Sequence, residues 1–158
     1  FDNLNINWLP NSDFDLVRDM SSCHDKVQVL YSRSDYGNDK RWMSRVKTED
    51  HKYECILSTP KSGVRYMYSN INNRGHFGIK KVIFGETSTH NAFYDSNGEF
   101  GLTDGAIAIV DEEFHIDILK CLKSDKFQKL LKSCSWSNYR IEWNMFKDFN
   151  KDFWKEFV

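Results

Sequence analysis

The sequence predicts an α+β domain, a mixed and mostly antiparallel sheet with hairpins followed by C-terminal helices. Short runs in which apolar residues alternate with polar ones recur between residues 26 and 110, as half-buried strands require. Turns rich in Gly, Asn and Pro separate those runs, and beyond residue 111 the apolar spacing lengthens to that of helices. Strands first and helices last is the pattern of an α+β chain.

In NSDFDLVRDM, Asn11 or Ser12 can cap a short amphipathic helix with Phe14, Val17 and Met20 on one face. KVQVLYS alternates, with Val27, Val29 and Tyr31 on one side. SDYGNDKRWMSRV turns through Gly37 and Asn38 and enters a basic stretch. HKYECIL and VRYMYS read as two strands around STPKSG, where Pro60 and Gly63 prevent a bridging helix. KKVIFGE and GAIAIV are further strands, and Asn97-Gly98 between them is a strong hairpin signal.

Asp111 can cap the first C-terminal helix, with Glu112 and Glu113 at its positive end and Ile118, Leu119 and Leu122 on its apolar face. Ser124-Asp125 restarts a second helix that turns Phe127, Leu130, Leu131 and Cys134 inward. The aromatic tail mixes a short strand around residues 139 to 141 with one or two helical turns.

At 158 residues the chain is long enough to bury about 70% of its unfolded surface in one core, without a staple. It is read as a single domain, residues 1 to 158, belonging to a larger protein, because Phe1 is followed by no basic-then-apolar leader. Cys23, Cys55, Cys121 and Cys134 are scattered and form no CxxC pair, which suits buried, reduced thiols in an intracellular, cytoplasmic protein. No run approaches the roughly 18 apolar residues of a membrane span, so no membrane partner is expected.

The commonest signatures of nucleotide hydrolysis, zinc hydrolysis and acyl transfer are missing: there is no GxxxxGK[ST], HExxH or GxSxG. No two of the five histidines lie within four residues of each other, and neither a metal site nor a catalytic residue is expected. Asp50-His51-Lys52 fits half of a metal-dependent nuclease signature, but no partner acid stands on a neighbouring strand. It is read as a solvated strand start in preference to a metal site.

Net charge is only -1, yet residues 40 to 81 carry +7 and the remainder carries -8. From residue 55 through 85 there is no Asp or Glu, while Lys61, Arg65, Arg74, Lys80 and Lys81 all fall inside. Such polarity suits a polyanionic partner. Guanidinium forks match guanine's acceptors or a phosphate, and amides can both donate to and accept from an adenine edge. On that chemistry Arg65, Asn70, Asn72, Asn73 and His76 are candidates for base edges, and Lys61, Arg74, Lys80 and Lys81 for phosphates. Arg41, Trp42, Arg45 and Arg140 form a weaker group; Trp42, Trp136 and Tyr139 are candidates for base stacking. The same amide-rich loop also suits a solvated turn.

STPKSGVRYMYSNINNRGHFGIKKVIFGE, FYDSNGEFGLTDGAIAIV and LKSDKFQKLLKSCSWSNYRIEWNMFKDFNKDFWKEF, in that order and spacing, resemble the C-terminal target-recognition region of adenine-specific restriction-modification DNA methyltransferases, including fused endonuclease-methylase enzymes. The resemblance covers residue 36 to the end. It implies a module that grips double-stranded DNA, while a methylase catalytic domain in the same or a partner chain holds S-adenosylmethionine and the flipped adenine. That family's catalytic acid or amide is followed by two prolines and an aromatic, which a chain holding only Pro10 and Pro60 lacks. FGLTDG follows a hairpin turn instead of a strand-to-helix junction and is not read as a cofactor loop, so no cofactor is expected in this chain. The competing readings are a protein-interaction module docking through its aromatic tail and, last, a metal-dependent nuclease using Asp50.

Overall fold

KVIFG is buried at every residue, and the reason is that both of its faces are covered. This strand is β5, Lys81–Gly85, in a computed structural model that describes residues 18–20, 26–32, 34–86, 88–89, 91–134, 146 and 149–157. The other strands are β1 Val29–Leu30, β2 Met43–Ser44, β3 Tyr53–Ser58, β4 Arg65–Ser69, β6 Phe93–Asp95, β7 Gly101–Leu102 and β8 Ala106–Ile109. Helices α1, His115–Lys123, and α2, Asp125–Cys134, follow, and a 3₁₀ turn spans Phe153–Glu156.

The strands form two four-stranded sheets, ordered β1-β8-β5-β6 and β2-β4-β3-β7. Among the described residues every pairing within them is antiparallel except that of β3 with β7. Alternation along β5 and β8 sorts their side chains between two cores. Val82, Phe84, Ile107 and Ile109 face a cluster that includes Ile118, Leu122, Phe127 and Leu130 of the helices. Ile83, Ala106 and Ala108 face Ile56 and Leu102 of the second sheet. The result is three layers: helices, first sheet, second sheet.

Capping chemistry sets the helix starts. Asp111 Oδ1 accepts from the backbone N–H of Glu113 (2.9 Å) and Phe114 (2.7 Å), tightening the turn ahead of α1. Ser124 Oγ accepts from Phe127 N–H at 3.2 Å, which is N-cap geometry for α2. Phe127, Leu130 and Leu131 are buried as their spacing predicts. Val27, Val29 and Tyr31 all pack on the helix-side core, although β1 itself is only two residues long. The helix expected over residues 11 to 20 is described only at Arg18, Asp19 and Met20, where it is helical. The strand expected around residues 139 to 141 lies outside the described residues.

Two expectations need correction. The Asn97-Gly98 turn exists, but it joins no hairpin: β6 belongs to the first sheet and β7 to the second, so the turn carries the chain between layers. The described part of the aromatic tail, expected as a docking face, puts three of its rings in the core. Phe146, Phe149 and Phe153 are fully buried, stacked edge-to-face or tilted around Phe127. Among the described residues no helix is long and apolar enough to cross a membrane.

Gly98 is the tightest point of the crossing. Its φ is +65°, and a Cβ there would lie 2.6 Å from Gly78 Cα. Gly78 N–H donates to the Gly98 carbonyl at 2.8 Å, so the two backbones are in contact. Gly98→Ala is therefore expected to lower stability by more than the ~1–2 kcal/mol that left-handed strain alone costs. Gly75→Ala, at φ +87° in open space, should cost only the strain, and urea unfolding of both variants checks the difference.

Candidate nucleic-acid interface

The amide-rich loop between β4 and β5 is held from below by a tyrosine. Tyr36, fully buried, donates its hydroxyl to the Gly75 carbonyl (3.2 Å) and accepts from Arg74 N–H (3.1 Å). Asn70 N–H donates to the Trp42 carbonyl at 2.9 Å, which ties the loop's first residue to the segment before β2. Trp42 Nε1 donates to the Asp35 carbonyl at 2.9 Å, so the indole plane is fixed, and the Arg74 guanidinium lies 4.2 Å above it. That is cation–π geometry, and it gives Arg74 a defined direction. Asn70, Asn72, Asn73 and Arg74 are all exposed.

β2 is the edge strand of its sheet and pairs with only two residues of β4, Met43 with Ser69 and Ser44 with Tyr68. Past Ser44 the chain turns away, its hydroxyl accepting from Val46 N–H at 3.1 Å. A groove of about 430 Å³ follows, lined by Arg45, Asn38 and the stretch of β4 that β2 leaves uncovered. Arg45 and Arg65 both line it and both are exposed. Among the described residues neither guanidinium has a carboxylate partner. Glu54, across the strand pair from Tyr68, is held by Lys47 at 3.8 Å.

The sequence-derived residues thus fall into separate places. Trp42 and Arg74 stack at one end of β2, beside Asn70, Asn72 and Asn73; Arg45 and Arg65 share the groove at its other end. Arg41 is exposed beside Trp42. Lys61 is exposed in the β3–β4 loop, at the end of β4 away from the amide loop, and Lys80 is exposed just before β5. Arg140, Trp136 and Tyr139 lie outside the described residues. Asp50 is exposed in the β2–β3 turn, where the neighbouring His51 Nδ1 meets Thr48 Oγ1 at 3.1 Å.

Lys81 and His76 are interior, which corrects their assignment to phosphate and base contacts. Lys81 is fully buried and its ammonium donates three times: to Asp95 Oδ2 (2.8 Å), the His76 carbonyl (2.9 Å) and the Ile79 carbonyl (3.1 Å). An ammonium has three N–H donors, so none is left for a phosphate. Burial pulls the Lys81 pKa down, and the hydrogen bond and charge of Asp95 oppose that pull. Asp95 in turn accepts from Glu99 N–H (2.9 Å) and Phe100 N–H (3.1 Å), closing the turn that crosses between sheets.

His76 is 2% exposed with φ +69°, and its Nδ1 accepts from Leu102 N–H at 3.0 Å. The proton therefore sits on Nε2, 3.7 Å from Asp35 Oδ2, beyond hydrogen-bond range. Desolvation lowers the imidazole pKa to about 4, against the pull of Asp35 and with the help of Lys81. Beneath it, burial pushes the Cys55 thiol up to about 12, an unreactive value. The structural tyrosine, Tyr36, and the groove residues Asn38 and Tyr68 were not singled out from sequence. Asn38 reads as an ordinary turn former, and nothing local marks Tyr36 as the loop's anchor.

No protein-family model matches the chain, and a search of curated proteins finds no significant match.

Lys81→Met leaves Asp95 with a buried, unpaired carboxylate and should cost about 3–5 kcal/mol in urea unfolding. Asp95→Asn should destabilise in the same direction. For His76 the folded pKa lies below the unfolded 6.5, so the unfolded chain takes up the proton first. Its contribution is complete above pH 6.5, declines as pH falls, and is gone near pH 4, a swing of about 3 kcal/mol. Unfolding free energies of the wild type and of His76→Asn, which tolerates positive φ, should differ by this slope between those pH values.

Proposed function

We propose that this chain is a sequence-specific double-stranded DNA recognition module, not catalytic by itself, serving an adenine-specific methyltransferase or restriction-modification enzyme. The observation that carries the DNA-binding reading is the row along one sheet edge. Arg74 stacked on Trp42 and the exposed Asn70, Asn72 and Asn73 lie at one end of β2, and Arg45 with Arg65 at the other. Arginine forks and amides are the side chains that read base edges and grip phosphates.

The methyltransferase setting rests on the sequence resemblance. Under it, a catalytic domain elsewhere in the same or a partner chain supplies S-adenosylmethionine and the reacting adenine pocket, and this module supplies register and base choice. Lys61 stands at the far end of β4 from the amide loop and Lys80 is that loop's last residue before β5; both contribute charge more than discrimination.

Fluorescence anisotropy with a labelled duplex between 50 and 200 mM salt tests DNA binding. With about four phosphate contacts, log affinity should fall against log salt with a slope of about -3 to -4. Absent binding at low salt, or binding indifferent to salt, overturns the reading. Lys80→Ala should weaken every duplex alike, while Asn72→Ala should shift the ranking among duplex sequences.

A further inference from the structure

We infer that the groove at the uncovered end of β4 is a phosphate clamp, in which Arg45 and Arg65 hold one phosphate group of a nucleic-acid strand. Arg45 and Arg65 line one concavity, and no Asp or Glu is among the described residues that line it. Like charges that share one groove repel. A shared anion reverses the sign of that interaction. A backbone phosphodiester presents two anionic non-bridging oxygens in tetrahedral directions, one for each guanidinium approaching from its own side of the groove.

Volume favours more than a bare ion. About 430 Å³ falls within the range of ligand pockets and leaves room for the sugar attached to the phosphate, with Asn38 and Tyr68 on the wall to bond or pack against it. The assignment moves Arg65 from reading bases to holding the backbone, and leaves base discrimination to the amide loop at the other end of β2. It deepens the proposed DNA-binding reading and rests on it for the natural ligand, although the phosphate chemistry can be probed alone.

The test uses the whole chain and the variants Arg45→Gln, Arg65→Gln and the double variant, each with circular dichroism and unfolding midpoint as folding controls. Both side chains are exposed, so midpoints should hold. In duplex titrations each single variant should lose roughly tenfold in affinity and reduce the salt slope by about one, with the ranking of duplex sequences unchanged. Inorganic phosphate, at ionic strength held constant with chloride, should shift the backbone amide NMR signals of residues 64 to 68 in the wild type and not in the double variant. If Arg65→Gln reorders sequence preference and leaves the slope alone, the clamp is wrong and DNA recognition stands. If phosphate shifts those signals but no duplex binds, the clamp stands for free phosphate and the DNA reading falls. If an acidic peptide produces the shifts and phosphate does not, or if neither variant changes phosphate or duplex binding, the clamp is overturned.

Discussion

The ammonium of Lys81 holds the second sheet and its loops in one arrangement. It is taken wholly out of water, an expensive act for a charge, and is offset by a carboxylate and two carbonyls at hydrogen-bond distance. The three acceptors come from two pieces of the fold. The carbonyls of His76 and Ile79 bind it to the loop before β5, and Asp95 binds it to the end of β6. Because Asp95 also closes the turn through Glu99 and Phe100, the bond aims the chain toward β7. There β7 can pair in parallel with β3, and His76 Nδ1 receives the N–H of Leu102. The loop, the crossing and the last strand of the second sheet are one polar unit, in which each bond depends on the others being made.

That unit divides the molecule's work. Apolar burial is concentrated on the helix side of the first sheet, where Phe127 and its neighbouring rings fill the core, and between the sheets, where small Ala106 and Ala108 sit opposite Ile56 and Leu102. The far side of the second sheet is covered instead by loops held through hydroxyls, carbonyls and ring contacts: Tyr36 to Gly75, Trp42 to Asp35, Phe77 against Tyr36 and Tyr53. A face stabilised that way can leave amides and guanidiniums in water at little cost to folding. The candidate interface lies there because the fold does not need that surface for its core.

The parts of the fold that were legible from sequence are those whose cause is local. Short apolar runs in KKVIFGE and GAIAIV mark strands, and Asp111 and Ser124 mark helix entrances, because a run or a cap acts within a few residues. What escaped depends on partners far along the chain. Nothing within KKVIF distinguishes the exposed Lys80 from the buried Lys81; the difference is Asp95, fourteen residues on. Asn97-Gly98 correctly signals a turn, but which sheet receives the next strand is decided by the Lys81 to Asp95 contact and by the backbone contact of Gly78 with Gly98. In the candidate site, residue chemistry was readable, while Tyr36 as anchor and the groove beyond Ser44 arise only when β2 stops short.

Charge shows the same distinction between sequence and space. The carboxylate-free stretch from residue 55 through 85 is not a uniformly cationic surface, since Lys81 is neutralised inside by an acid from outside the stretch, and Lys47 nearby engages Glu54. What remains is smaller and better placed: arginines at the edge strand of the second sheet. Charged side chains at an exposed edge discourage another strand from pairing there, and that protection alone would justify one of them. It does not require that Arg45 come from the strand's exit and Arg65 from its neighbour to line a common groove, nor that Arg74 be held flat against a fixed indole. Edge protection needs charge somewhere along the edge; it does not need two arginines from different strands lining one concavity.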